Sequence, residues 1–180
     1  KAKEAAVTYK EVIEAGDDRY AKQAAQLWTA SLSDAISKAS KQVGYRRGVE
    51  PSDLEKDFVE AADALQDRLG NQPEGREAAL RAAQVQAGYQ STRKAAIERA
   101  HDLMKRAPQT PQGLTAARLY LQIHVDLSKM TPDQGGISMA DVHEAVEEVT
   151  QQETLIEYDR KNGGKLIAAL RGEETRIQVG

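Results

Sequence analysis

The chain has 180 residues, a formal net charge of −3 and no cysteine, which excludes a disulfide framework and any thiolate site. Alanine supplies 28 of its apolar residues, while Leu, Ile, Val and Phe together number only 34. So light an apolar load predicts thin cores in which helices approach over small side chains, and thin cores are often completed by a neighbouring subunit. The apolar residues are periodic and the net charge is small, which argues against disorder. No apolar run approaches the roughly 18 to 20 residues of a membrane span, and no signal peptide is visible. The chain begins at Lys1 and not at Met, so a segment ahead of it can carry a targeting or membrane signal.

Lys1 to Ala15 is helical in composition. Gly16-Asp17-Asp18 either interrupts this segment or joins it to the next, with Asp17 as a candidate N-cap. From Arg19 to Val43, Ala21, Ala25, Trp28, Leu32, Ala35, Ile36, Ala39 and Val43 recur at steps of three and four and predict one buried stripe anchored by Trp28. Gly44-Tyr45-Arg46-Arg47-Gly48 reads as a break. Ser52 and Glu55 have capping-box spacing and open a helix whose inner face is Leu54, Phe58, Ala61, Ala62, Leu65 and Leu69. Gly70-Asn71 closes it.

Pro73 suits a first helical turn, and the pattern from there to Ala107 predicts one helix of about 50 Å at 1.5 Å per residue. Its stripe is Ala82, Val85, Tyr89, Ala96, Ala100 and Leu103. Gly75 and Gly88 weaken it. Pro108-Gln109-Thr110-Pro111 is the strongest stop in the chain and the expected boundary between a long-helix region, 1–107, and a C-terminal helical region, 108–180, unless the two form one continuous domain. Leu114 to Met130 predicts a helix with Ala116, Leu119, Tyr120, Ile123, Leu127 and Met130 inward. Ser138 and Asp141 repeat the capping-box spacing, ahead of a stripe of Val142, Ala145, Val146, Val149 and Ile156. Asn162-Gly163-Gly164 is a turn, Leu166 to Leu170 a short helix, and Thr175 to Val179 a weak strand or a tail.

Charge is unevenly placed. Glu74 to Arg106 holds seven basic residues against four acidic ones, and Asp141 to Arg160 holds seven acidic residues against Arg160 alone. Opposed stretches of this kind either orient two helices or two subunits, or are ordinary solvated faces. A contact made this way weakens with salt.

The residues that carry chemistry are sparse. His101, His124 and His143 fall on three different helices. His143 and Glu147, four apart, offer two metal ligands on one face where three or four are needed. A calcium loop ending at Asp141 puts Met130 and Pro132 at its first and third positions, where neither supplies a ligand oxygen. Gly164-Lys165 lacks the phosphate loop's upstream glycine, which is Asp159, and Leu166 replaces its Ser or Thr. Catalytic, cofactor and metal residues are therefore expected to be none, and the chain is read as a non-enzyme. Tyr45-Arg46-Arg47 and Arg93-Lys94 allow a local basic lining against nucleic acid, although the acidic balance opposes a dedicated nucleic-acid domain.

The fold class expected is all-α: an elongated bundle or open array of five to six helices, some long, with short loops. The segments Ala21-Lys22-Gln23-Ala24-Ala25-Gln26 and Arg81-Ala82-Ala83-Gln84-Val85-Gln86-Ala87 resemble, in composition and across roughly the first 107 residues, internal virion (ejection) proteins of short-tailed bacteriophages. That resemblance implies a non-enzymatic structural subunit that forms a homo-oligomer with other assembly proteins. It also implies storage in the virion and delivery to the bacterial host envelope as part of a DNA-delivery conduit. A helical component of a bacterial secretion apparatus and a nucleic-acid-associated adaptor or regulator are the competing readings.

Overall fold

The computed structural model describes the backbone of residues 8–9, 11–13, 15, 18–40 and 50–179, with side chains described for all of these except 18, 19, 21, 39, 40 and 173–179. The described residues are all-α and contain no strand. No helix among them is long and apolar enough to cross a membrane. The candidate cap Asp17, the break at Gly44 to Gly48, Val43 and the basic Tyr45-Arg46-Arg47 lie outside the described residues. So do most of Lys1 to Ala15 and the side chains of Ala21 and Ala39.

After helical residues at 8–9 and 11–13, eight α-helices follow in order among the described residues: α1 Asp18–Ser40, α2 Asp53–Leu69, α3 Pro73–Ala87, α4 Arg93–Arg106, α5 Pro111–Ser128, α6 Met139–Thr150, α7 Glu153–Lys161 and α8 Lys165–Val179. The count exceeds five or six because two stretches expected to be single helices are each cut. Gly88 to Thr92 separates α3 from α4 through a 3₁₀ turn. Gln151-Gln152 separates α6 from α7. The second cut shifts the phase of the stripe, so Leu155 is fully buried where Ile156 was expected and Ile156 is half-buried. At the C-terminus, Thr175–Val179 is neither strand nor tail but the end of α8. Once Leu166 and Leu170 are buried the helix is nucleated, and adding residues to a helix costs far less than starting one.

Two compact units divide the chain at Ala96/Ile97, within α4. In the first unit α1 packs on α2 and α2 on α3. Its apolar cluster is built on Trp28, Leu32, Phe58, Leu65 and Leu69, and half of the twelve residues in it are alanine. Ser52 and Glu55 make both halves of the capping box, with Ser52 N–H donating to Glu55 at 2.9 Å and Glu55 N–H to Ser52 Oγ at 3.4 Å. The three-residue connection after α2 works through two glycines. Gly70 takes φ +52°, and a Cβ on Gly75 would lie 2.6 Å from the Gly70 carbonyl oxygen. Gly75 therefore does more than weaken a helix: it lets α3 start against the end of α2.

In the second unit α5 is the central helix, packed on α6, α7 and α8. Leu114, Ala117, Leu121 and Val125 are buried as well as the expected Ala116, Tyr120, Ile123 and Leu127, so the helix is covered around most of its circumference. Leu119 and Met130 are half-buried. The Pro108–Pro111 segment lies inside this unit as a closed corner. Thr110 Oγ1 donates to the Ala107 carbonyl at 2.8 Å and accepts from Gly113 N–H at 3.1 Å. Asp159, fully buried, accepts the N–H groups of Leu166 at 3.1 Å and Ile167 at 2.9 Å, and so caps α8 from the preceding helix. The turn between them has φ +104° at Gly163 and +64° at Gly164, which glycine alone adopts without strain.

Trp28 is 3% exposed, and truncating it to alanine should cost about 3 to 5 kcal/mol, measured by urea unfolding followed by ellipticity. A Cβ on Gly113 would lie 2.0 Å from the Ala107 carbonyl oxygen, so Gly113→Ala should open the corner and lower stability by about 2 kcal/mol. That is opposite in sign to the gain of about 1 kcal/mol expected from helix propensity alone, and a thermal melt distinguishes the two.

Candidate functional site

Among the described residues a cluster of ionisable side chains lies in the second unit, where α4, α5 and α6 meet. Glu148, on α6, is the hub. Its carboxylate is 2.6 Å from His101 Nε2, 2.9 Å from Lys105 Nζ and 2.9 Å from the Tyr120 hydroxyl. The His101 ring stacks on Tyr120 at 5.4 Å between centroids, and the His124 ring lies against the same Tyr120 ring at 4.4 Å. His124 Nδ1 is 2.8 Å from the Tyr120 carbonyl of the same helix.

Helical spacing explains the assembly. His101 and Lys105 are four apart on α4, and Tyr120 and His124 are four apart on α5, so each pair presents one face. Glu148 lies three residues after the buried Ala145 on α6 and next to the buried Val149, at the rim of the apolar stripe. The opposed charge stretches therefore meet within one chain, at least through His101 and Lys105 on one side and Glu148 on the other.

The electrostatics point away from proton transfer. Burial alone would raise the Glu148 carboxyl, but hydrogen bonds from His101, Lys105 and Tyr120 outweigh it and hold the group at about 2. Burial, the hydrogen bond to Glu148 and the charges of Glu148 and Glu144 push the Tyr120 phenol well above its ordinary value. A carboxylate this acidic is a poor general base at neutral pH, and a phenol this weak is a poor general acid. The cluster acts as a clamp between three helices.

His143 Nε2 lies 3.3 Å from the Glu147 carboxylate, both exposed on α6. They line a shallow groove of about 340 Å³ with Val146, Thr150 and Gln151. Among the described residues no group of three or more His, Asp and Glu side chains is placed to hold a metal ion. Asp141 is spent on the cap of α6, where hydrogen bonds from Ser138 lower its carboxyl below the usual range. Gly164-Lys165 starts α8, with the Asp159 carboxylate on the N–H groups of the first turn.

The first unit carries a wider groove of about 460 Å³ between α1, α2 and α3. Ile36, Phe58 and Val85 form its apolar floor, and Ser33, Glu77, Arg81 and Gln84 its polar rim. Arg81 pairs with Glu77 at 2.9 Å and reaches Ser33 at 3.4 Å, bridging α3 and α1.

Sequence spacing alone does not reveal the Glu148 cluster, because its members lie at 101, 105, 120 and 148 on three helices. The available signal is the opposed charge of the two stretches, which places the attraction without naming the residues. Against protein-family models, curated proteins and solved structures, no match is found for the chain.

Because the Glu148 carboxyl titrates lower in the fold than its ordinary value of 4.5, its contribution is complete above that value and is lost as pH falls towards about 2. Glu148→Gln should cost about 1 to 2 kcal/mol at neutral pH, after discounting for solvent screening of a partly exposed group. The gap between variant and wild type should close between about pH 4.5 and pH 2, as read from urea midpoints across that range.

Proposed function

We propose that the chain is a non-enzymatic helical subunit of a larger assembly. In its specific form this is an internal virion protein that self-associates and contributes to a DNA-delivery conduit in the host envelope. The observation that carries the reading is the alanine-lined core of the first unit beside an open groove with an apolar floor. Burying a methyl contributes far less than burying a leucine side chain, at roughly 25 cal/mol per Å² of apolar area. A second surface laid into the groove would add the burial that the unit's own side chains supply only thinly. An apolar floor inside a polar rim is also the anatomy of protein interfaces.

The ionisable groups support the same reading. Glu55, Asp141 and Asp159 satisfy helix N-termini, and Glu148 binds three helices together. Their chemistry is absorbed by the fold.

Light scattering on the full chain across protein concentration should show growth from monomer to oligomer. Since His101 and Lys105 are already bound to Glu148, raising salt should weaken association less than it weakens a purely charged contact. Val85→Lys, at the groove floor, should weaken it about tenfold, equivalent to roughly 1.4 kcal/mol. A highly stable monomer at every concentration, unaffected by Val85→Lys, overturns the assembly and favours a self-contained adaptor.

A further inference from the structure

The break between α3 and α4 is not where the sequence would place one. Ala82, Tyr89, Ala96 and Leu103 follow one another at seven-residue steps straight through it, and all four are buried. A strict seven-residue repeat drifts only about 20° per step on a straight helix, so one unbroken helix would keep all four on one face. Gly88 itself has helical angles, φ −73° and ψ −9°. The departure is at Tyr89, which is extended at φ −129° and ψ 137°.

Two hydroxyl groups hold that departure. The Tyr89 hydroxyl donates to Glu55, and both residues are almost fully buried. Glu55 is fixed from its other side by Ser52, whose hydroxyl lies 2.6 Å from the second carboxylate oxygen. The Thr92 hydroxyl donates to the Gln86 carbonyl at 2.8 Å, which is the acceptor that the Gln90 N–H would use in a continuous α-helix. The Tyr89 N–H donates to the same carbonyl at 3.2 Å rather than to that of Val85. The joint contains neither proline nor a positive φ, and side-chain hydroxyls make contacts on both sides of it.

We propose that residues 73–106 are a latent single helix, held interrupted at Gly88 to Thr92 by the Tyr89–Glu55 and Thr92–Gln86 contacts, and that this joint is a conformational switch. In the interrupted state Tyr89 fills the first unit beside Glu55. In the continuous state residues 88–92 regain helical hydrogen bonds, and the stripe runs in phase for about 50 Å at 1.5 Å per residue. A surface that competes for the Tyr89 ring or for the Glu55 carboxylate shifts the chain from the first state to the second. The device belongs to the single chain and operates whether or not that chain self-associates.

The test is solution NMR of the full chain in three forms: wild type, the double variant Tyr89→Phe with Thr92→Ala, and Gly88→Ala. In wild type the Cα shift at position 89 should lie on the extended side of its random-coil value. In the double variant, positions 88 to 92 should move to the helical side, with contacts between Hα and the amide three residues on running across the joint. Gly88→Ala retains both hydroxyls and favours helix at a position whose angles accept alanine, so it should move the same shifts in the same direction by a smaller amount. If the double variant does not fold, Gly88→Ala decides. Position 89 remaining extended in every form that folds overturns the switch.

Discussion

Every helix start leaves backbone N–H groups without a partner, and a chain cut into this many helices repeats that cost many times. With so light an apolar core, the fold has little burial to offset orphaned donors. At four of the helix starts it meets the constraint with oxygen atoms of side chains, while α3 and α7 begin without a side-chain cap. Ser52 with Glu55 serves α2, Thr110 serves α5, and Ser138 with Asp141 serves α6. Asp159 serves α8 from outside that helix. The acidic balance of the chain is in part the consequence, since carboxylates suit the positive end of the helix dipole.

Much of this was legible locally. Capping boxes are written within four residues, and the stripe anchored by Trp28 has an unmistakable period, so both could be read without neighbours. The interruptions could not. Across Gly88 to Thr92 the apolar phase is kept, and one of the contacts made at the break, from Tyr89 to Glu55, reaches some thirty residues back along the chain. Gln151-Gln152 contains neither glycine nor proline, and it shows itself only through the burial of Leu155. Asp159 was visible as the residue that spoils a phosphate loop. Its position is informative for the same physical reason: a helix N-terminus attracts an anion, and here the chain supplies its own.

The Glu148 clamp illustrates the difference between a cluster of reactive residue types and a reactive site. Histidine, tyrosine, lysine and glutamate within hydrogen-bonding distance make an inventory that suits acid–base chemistry. Their mutual bonds stabilise the anionic carboxylate and the neutral phenol, the two forms least inclined to exchange a proton near neutrality. The same bonds tie together three helices that also share buried apolar faces. Opposed charge in the sequence is thus used inside the chain before any is offered to a partner.

The single tryptophan belongs to the first unit, where it is buried in the apolar cluster. Intrinsic indole emission is consequently a probe of that unit alone, whereas far-UV ellipticity averages over both. The protein carries a built-in spectroscopic label by which the cooperativity of its two parts can be separated, because coincidence of the two transitions is the ordinary criterion for all-or-none unfolding.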